Sequence, residues 1–454
     1  MKRFNYKYIT ALGISLAATL SACDKKLDIS PSNSIEQSEA LLTSQDVQSA
    51  LIGAYNRLED EDLYGGRIYL EPDLLAGQNA IAWGGTYTGL TQIYSQTIPP
   101  NNTFVTDLWI DAYQAINQLN NVLANIDKVD EAEKDRVEGE AKFLRGLIYF
   151  DLVRLFGKAW SDGDPNANLG VPLVLTPTLV VDENSNHTRA SVAAVYEQVL
   201  SDLNDAEALL PASNSFFANK YAAAAILSRV YLQKGDYENA ATEATNVISS
   251  DQYELVENYS DEFPFPGAVH VDNTSEDIFA FQVTPQQGTN SLNEFYASAD
   301  YGGRGDIEIK SNFVNQYSNK DERADLFYMD GSSTRTGKFN NLYGNIRVIR
   351  LAEMYLNRAE ANLRMNTTIG DTPLNDINKI RVGAGLAPAT TVSLEDVLQQ
   401  RKLELAFEGG FFLFDAKRTK ESIGSLPFNS DKLVFPIPQR ELYANPNMEQ
   451  NPGY

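Results

Sequence analysis

Aromatic and amide side chains with the chemistry to bind a sugar are concentrated in a glycine-rich stretch, residues 61–102. Aromatic rings can cover the apolar C–H faces of a sugar, and amides can satisfy its hydroxyls. Trp83 is the strongest candidate, because its loop QNAIAWGGTY (78–87) is too rich in glycine for a core element. Asn79 and Tyr87 in the same loop would add a hydrogen bond and a second ring. The competing interpretation is that Trp83 fills the core of the scaffold.

A second irregular stretch, residues 251–345, supplies further candidates for the same chemistry. Short β-like pieces alternate there with Gly, Asn and Ser. Long irregular segments inside a compact protein are usually functional. The candidate ligand contacts in this stretch are Asn293, Tyr296, Tyr301 and Arg304. Because the chain has 23 tyrosines, packing explains any single one more simply, so we rely on the set rather than on its members.

Two carboxylates at helical spacing, Glu404 and Glu408, raise the alternative of a glycoside hydrolase. Their Cβ atoms would lie about 6 Å apart on one helical face, near the carboxylate spacing of retaining enzymes. Both groups would project from the same side, however, whereas catalysis requires them to flank the scissile bond. Arg401 precedes Glu404 by three residues and would neutralise it. We therefore interpret the glutamates as members of a structural ion pair and assign no catalytic residue.

The composition argues against metal centres and nucleic-acid partners. One cysteine, Cys23, and two distant histidines, His187 and His270, exclude a thiolate cluster and disfavour a His-rich zinc site. The segment DGDPNAN (162–168) has the alternate spacing of a calcium loop but lacks the required glycine and terminal glutamate. No metal or cofactor is therefore predicted, apart from this weak indication of structural calcium. The formal charge of −24 repels phosphate backbones, which excludes nucleic acid as a partner.

The N-terminus has the features of an export signal that ends in a lipidated cysteine. Residues 1–22 combine early basic residues with an apolar run that is too short to span a bilayer in the mature protein. LSAC (20–23) resembles the bacterial lipobox, so Cys23 is predicted to be acylated and to become the new N-terminus. Residues 23–39 would form the lipidated start and a polar tether. Residues 40–454 would form one body without a transmembrane helix.

Most of the body shows the apolar periodicity of amphipathic helices. Tyr231, Gly235, Tyr237 and Ala240 fit the spacing of a tetratricopeptide unit, which must stack on neighbours to cover its apolar face. We predict a mainly α fold of about four tetratricopeptide-like helix pairs with a large loop-rich ligand-binding region. The helical repeats are placed near 43–58, 108–157, 192–250 and 346–418, and the ligand loops at 61–102 and 251–345.

Four ordered segments resemble the SusD/RagB family of outer-membrane nutrient-uptake lipoproteins. They are EAKFLRGLIYFDLVRLFG (140–157), RLAEMYLNRAEA (350–361), ELAFEG with DAKR (404–418), and FPIPQREL with NPN and NPGY (435–454). Together with the lipobox, they extend the resemblance from Cys23 to the last residue.

The resemblance implies a role in nutrient uptake at the outer membrane. It implies a lipid-anchored protein that faces the exterior and has a SusC-like TonB-dependent transporter as its partner, over which it acts as a lid. The expected function is binding of an oligo- or polysaccharide and delivery of that glycan to the transporter. Because some members of the family import peptides, a RagB-like peptide importer is the alternative.

Overall fold

The computed structural model describes residues 41–180, 182–286 and 290–454. The predicted signal peptide (1–22), Cys23 and the tether (23–39) lie outside these residues. None of the helices in the described ranges has the length and apolarity needed to cross a bilayer.

The described residues are mainly helical, as the periodicity predicts. A capping box fixes where the first helix begins. The Thr43 hydroxyl accepts from the Asp46 amide, and the Asp46 carboxylate accepts from the Thr43 amide. The α-helices are α1 Ser44–Leu58, α2 Arg67–Ala76, α3 Thr88–Tyr94, α4 Thr103–Ala124, α5 Glu131–Phe156, α6 Val192–Leu209, α7 Lys220–Lys234, α8 Tyr237–Ile248, α9 Ser291–Tyr296, α10 Ser311–Val314, α11 Leu351–Met365, α12 Pro373–Gly383, α13 Leu394–Glu404, α14 Phe411–Thr419 and α15 Gln439–Ala444.

Within the described residues, eight of these helices stack as four successive pairs: α1 with α4, α5 with α6, α7 with α8, and α11 with α12. Each pair also packs on the next one along the chain. The predicted unit is the α7–α8 pair, where Gly235 ends α7 with φ of 76°, a conformation that favours glycine. Ala240 of α8 is fully buried, which lets the two helices approach closely. The predicted mainly α, tetratricopeptide-like fold is confirmed.

Helix α5 forms the centre of the core. Every residue from Gly139 to Phe156 is buried except Lys142. The C-terminal tail folds back onto its end: the Phe435 amide donates to the Leu155 carbonyl at 2.8 Å, and the carboxamide of Asn451 donates to the Phe156 carbonyl at 2.8 Å. The tail therefore satisfies carbonyls that the end of a helix leaves without partners.

Three small antiparallel sheets organise the loop-rich region. β1 Ile81–Trp83 pairs with β3 Ile307–Ile309, β2 Asp277–Phe281 pairs with β6 Ile346–Arg350, and β4 Phe327–Asp330 pairs with β5 Ser333–Thr336. The β1–β3 pair matters most for function, because it joins the two predicted ligand-loop stretches, which are more than 200 residues apart in sequence.

The first of these stretches, 61–102, is more regular than its sequence indicates, since it contains α2, β1 and α3. Helix α2 is buried from Ile68 to Ala76, so no polar face produces the amphipathic pattern by which helices are recognised. Pro72 lies within it and Gly66 caps it, and both residue types usually indicate a break.

Candidate carbohydrate-binding surface

The β1–β3 ladder positions Trp83. Trp83 is the last residue of β1 and pairs with Ile307, so it lies in a strand and not in a loop, contrary to what the neighbouring glycines indicate. Gly85 is required here because of close approach. A Cβ at Gly85 would lie 2.4 Å from Cζ2 of Trp83 and 2.8 Å from a carboxylate oxygen of Asp306. Any residue other than glycine at position 85 would therefore clash with the edge of the indole ring.

Trp83 and Tyr87 flank Phe295 of α9, and we call these three rings the aromatic platform. The ring centroids of Trp83 and Phe295 are 5.7 Å apart, and those of Tyr87 and Phe295 are also 5.7 Å apart. Tyr87 is 37% exposed and Trp83 is half-buried, so both rings present surface to solvent. Phe295 is completely buried beneath them and fixes their positions.

Arg304 provides the polar edge of the platform. Its guanidinium lies over the Tyr87 ring, 4.9 Å from the centroid. Nε donates to the Asp306 carboxylate at 2.8 Å, and Nη2 donates to the Thr86 hydroxyl at 3.3 Å. The side chain is 38% exposed, so its remaining N–H groups can reach a ligand oxygen.

Two acidic side chains balance the charge of Arg304. Asp306 raises the pKa of Arg304 through its hydrogen bond, which keeps the guanidinium charged. Glu294 lies 4.0 Å from Arg304, and partial burial raises the pKa of its carboxyl, although the nearby guanidinium opposes this shift. With one cation facing two acids, this surface has no strong preference for a charged ligand, which suits the hydroxyl groups of a neutral sugar.

Tyr301 belongs to a second ring cluster. Its ring meets Phe265 edge-on at a centroid distance of 4.9 Å and Tyr328 at 5.3 Å. Tyr301 is half-buried and Phe265 is 45% exposed, so this cluster also offers aromatic surface. Tyr301 is three residues from Arg304 in the chain, which connects this cluster to the polar edge of the platform.

Asn293 and Tyr296 require a correction, because both are completely buried and cannot contact a ligand in this conformation. The carboxamide of Asn293 donates to the carbonyls of Tyr301 at 3.2 Å and Phe339 at 2.7 Å. The Tyr296 hydroxyl donates to the Asp73 carboxylate at 3.2 Å. Both side chains therefore hold α9 in place beneath the platform.

Asn79 is exposed but is not brought to the platform. It lies at the opposite end of β1 from Tyr87 and lines a separate cavity of about 160 Å³ together with Phe313 and Phe412. Of the seven predicted ligand contacts, Trp83 and Tyr87 both pack on Phe295, and Arg304 lies over Tyr87, while Tyr301 belongs to the second cluster.

Sequence reasoning missed three residues of this surface: Phe295, Thr86 and Asp306. Phe295 could have been found, because it lies between the selected Asn293 and Tyr296 in a segment dense in aromatic residues. Asp306 follows Arg304 by two residues, a common spacing for a local ion pair. Thr86 carried no signal, since its contact depends on the β1–β3 pairing.

The paired glutamates are structural, as their interpretation as ion-pair members predicts, but their partners differ. Glu404 binds Arg350 at 2.9 Å and Arg323 at 3.1 Å, and Glu408 binds Arg350 at 2.7 Å and Lys338 at 2.5 Å. The expected partner Arg401 instead binds Asp415. Arg350 and Lys338 hold the pKa of Glu408 down at about 2, against the opposing effect of burial. Neither buried carboxylate is placed to meet a substrate.

The acidic segment 162–168 satisfies its own polar groups. The Asp164 carboxylate accepts from the backbone and side-chain amides of Asn166 at 2.9 and 3.0 Å, and Asn168 donates to the Asp162 carbonyl at 2.5 Å. One carboxylate oxygen of Asp164 is thus engaged in an Asx-type turn.

A different acidic group lies at the start of the body. Carboxylate oxygens of Asp60, Asp62 and Asp111 lie within 4.8 Å of one another. Asp62 is also paired with Arg67, and burial together with Asp60 and Asp62 raises the pKa of Asp111 to about 6. These carboxylates are the candidate cation ligands in the described residues, but the arginine already neutralises part of their charge.

The platform has the chemistry of a sugar-binding surface. Stacking a sugar ring that removes about 50 Å² of apolar area from water contributes roughly 1 kcal/mol. The accessible parts of Trp83 and Tyr87 could each cover the apolar face of a sugar, while Arg304 and Asp306 offer donors and acceptors for hydroxyls. Such a surface gives modest affinity, because each stacked ring and hydrogen bond contributes only about 1 kcal/mol.

Comparison with known protein families finds two family models that match the chain. A family described as "Starch-binding associating with outer membrane" matches residues 25–232, and the SusD family matches residues 327–426. SusD-like protein P2 of Formosa agariphila is 25% identical over the full length of both chains. These descriptions support carbohydrate binding and an association with the outer membrane.

Solved structures agree with this assignment. A SusD superfamily protein of Bacteroides thetaiotaomicron superposes with a TM-score of 0.81 at 28% identity, covering 90% of this chain and 100% of that one. A SusD superfamily protein of Bacteroides vulgatus gives a TM-score of 0.81 at 26% identity, covering 91% and 99%. The resemblance noted in the four sequence segments is confirmed, and the chain belongs to the SusD/RagB family.

Proposed function

We propose that this protein binds a glycan on the aromatic platform and delivers it to a SusC-like TonB-dependent transporter. The observation that carries the proposal is the convergence of Trp83, Tyr87 and Arg304 on an open surface, although the arginine is more than 200 residues away in sequence. Half-exposed rings on an open surface suit the flat faces of a polysaccharide better than the backbone of a peptide. The family's description as starch-binding supports the same class of ligand.

Replacing Trp83 by alanine is expected to weaken glycan binding by about fivefold, because it removes a stacking contact that contributes roughly 1 kcal/mol. Binding would be screened on a glycan array that includes starch fragments, alongside a peptide pool, and then measured by calorimetry with the best ligand.

Trp160→Ala is the matched control for this experiment. Trp160 is also half-buried and also packs on one ring, that of Tyr196 at a centroid distance of 5.1 Å, but it belongs to no part of the platform. Glycan binding that survives in Trp83→Ala would remove the platform as the site. Binding to peptides alone would favour the RagB-like alternative over a glycan.

We further propose that Cys23 is acylated and holds the protein on the outer membrane, facing the exterior. A lipoprotein cysteine with more than one acyl chain anchors an otherwise soluble body stably, at about 0.8 kcal/mol per buried methylene. Cys23→Ser is expected to abolish incorporation of labelled fatty acid and to release the protein from the membrane fraction. Retention of label in this variant would contradict the anchor, while glycan binding by the released protein would be unaffected.

A further inference from the structure

A cavity of about 460 Å³ lies between α4, the segment 172–178 and the C-terminal helix α15, away from the platform. Trp109 and Tyr113 of α4 line it with aromatic surface, their ring centroids 4.9 Å apart. His187 and Arg440 contribute polar side chains from the other side. None of the platform residues lines this cavity.

Side chains of the helical scaffold hold one wall of this cavity in place. The Tyr113 hydroxyl donates to the Pro172 carbonyl at 2.8 Å. The carboxamide of Asn120, which is almost completely buried, donates to the Val174 carbonyl at 2.8 Å. The segment 172–178 has no regular secondary structure, so these bonds replace the backbone pairing that would otherwise fix it.

The opposite wall is held by the C-terminal tail. The carboxamide of Asn445 donates to the His187 carbonyl at 2.7 Å, and that of Asn447 donates to the Asn186 carbonyl at 2.8 Å. Both walls are therefore set by specific side-chain bonds and not by loose loop packing. A preformed cavity with aromatic surface and a few convergent polar groups is the usual form of a ligand site.

Arg440 is available to a ligand in this cavity. Its side chain is 63% exposed, and its one ion-pair partner among the described residues is the adjacent Glu441, at 3.5 Å. Burial raises the pKa of Glu441, although Arg440 and the Trp109 indole oppose this shift. Apart from its ion pair with Glu441, the Arg440 guanidinium has no carboxylate partner in the described residues, so its N–H groups can reach a ligand.

A second cation adds positive potential below the cavity. Arg189 is 6% exposed, and its guanidinium donates only to uncharged oxygens in the described residues, among them the Gly170 carbonyl at 2.7 Å and the carboxamide of Asn451 at 2.8 Å. Burial without a carboxylate partner lowers the pKa of Arg189 to about 10, and its charge acts on Tyr113 in the cavity wall. Arg440 in the lining and Arg189 behind it are two cations against one lining carboxylate, that of Glu441, so the local charge favours an anion.

We propose that this cavity binds an anionic sugar residue, whose carboxylate or sulfate group pairs with Arg440 while the sugar ring lies against Tyr113. The guanidinium fork matches planar carboxylates and the oxygens of sulfate alike, and the volume accommodates one or two sugar units. This second site is independent of the platform, so a glycan with acidic units would meet the protein at two places.

Titration of the full chain with galacturonic acid, galactose 6-sulfate and galactose, followed by saturation-transfer NMR, tests the site. At least one anionic sugar is expected to bind about tenfold more tightly than galactose, and Arg440→Gln to weaken it by about tenfold, since charge-assisted hydrogen bonds contribute that much. Arg381→Gln is the matched control, because Arg381 lies outside the cavity and its side chain donates, within the part of the chain that the structure describes, only to the Ala387 carbonyl. His187→Gln is a second variant at the cavity and is also expected to weaken binding.

The relative affinities of the two anionic sugars identify the preferred acid group. Equal affinity for galactose, no binding of either anionic sugar, or undiminished binding by both Arg440→Gln and His187→Gln would overturn the proposal. Trp83→Ala separates the two sites: it is expected to leave the anionic sugar bound here, so a failure of the platform as a glycan site would not affect this result.

Discussion

Replacing Arg350 by methionine is expected to lower the free energy of unfolding by about 3–5 kcal/mol, because it leaves Glu276 without a cation in the described residues and removes one of the two cations that bind Glu404 and Glu408. Arg350 is 2% exposed and binds three glutamates: Glu276 at 2.5 Å, Glu404 at 2.9 Å and Glu408 at 2.7 Å. Arg350→Lys keeps the charge but loses the fork that reaches several acids at once, so an intermediate loss is expected.

Urea unfolding followed by circular dichroism measures this loss. Arg381→Gln serves as the control, since Arg381 bonds to a backbone carbonyl and to no carboxylate in the described residues, and its change should stay within about 0.5 kcal/mol. An Arg350→Met protein that unfolds within about 1 kcal/mol of the parent would show that the carboxylates find other partners or take up protons without penalty.

The network around Arg350 shows why the ion-pair partners of this residue could not be read from the segment RLAEMYLNRAEA (350–361). Local spacing on a helix suggests Glu353, three residues on, as its partner. The structure instead pairs Arg350 with acids 54 to 74 residues away, and Glu353 with Arg229 at 2.5 Å. Helical periodicity reports neighbours along one helix, whereas these partners meet only after the strand β6 and the helices have packed.

Elements whose signal is local were predictable from the sequence. The α7–α8 pair follows from its spacing of small and aromatic residues around Gly235, and the structure forms it there. Helix α2 was missed for the complementary reason. It is surrounded by protein on all sides and carries Pro72, so neither its hydropathy pattern nor its composition distinguishes it from a loop.

The candidate site was predictable to the extent that residue chemistry alone decides exposure. An arginine beside three glycines and a tyrosine in a glycine-rich loop both reach the surface, as Arg304 and Tyr87 do. Asn293 and Tyr296 have the same sugar-binding chemistry, but they are buried in the short helix α9, where Asn293 donates to the Phe339 carbonyl and Tyr296 to the Asp73 carboxylate. Which face of a six-residue helix is buried depends on its packing partners. These partners are distant in sequence, so the local sequence does not reveal them.

Asp73, the partner of Tyr296, leads to the second large expected effect: Asp73→Asn is expected to stabilise the protein at neutral pH. Asp73 is completely buried in α2, and burial raises the pKa of its carboxyl to about 7, although the Tyr296 hydroxyl and the Gly410 amide oppose this shift. An asparagine carbonyl can still accept from the Tyr296 hydroxyl and carries no charge that must be removed from water.

The two pKa values of Asp73 determine whether its burial raises or lowers the free energy of unfolding as pH increases. Between the unfolded pKa near 3.8 and the folded pKa near 7, the unfolded chain has released this proton while the folded protein retains it. Stability therefore falls as pH rises through this window, by about 1.4 kcal/mol per unit and about 4 kcal/mol in all. Asp73→Asn removes that loss, so its advantage should be near zero at about pH 3.8 and largest at about pH 7.

Asp396→Asn provides a control of opposite sign. Hydrogen bonds from Ser393 at the start of α13 lower the pKa of Asp396, so its carboxylate adds stability above its unfolded pKa and loses that contribution as pH falls. Urea unfolding of both variants across this pH range should show stability differences from the parent protein that change in opposite directions with pH. If Asp73→Asn were less stable than the parent at neutral pH, Asp73 would have to be ionised in the fold, and the support that α2 gives to α9 and the platform would depend on a buried charge.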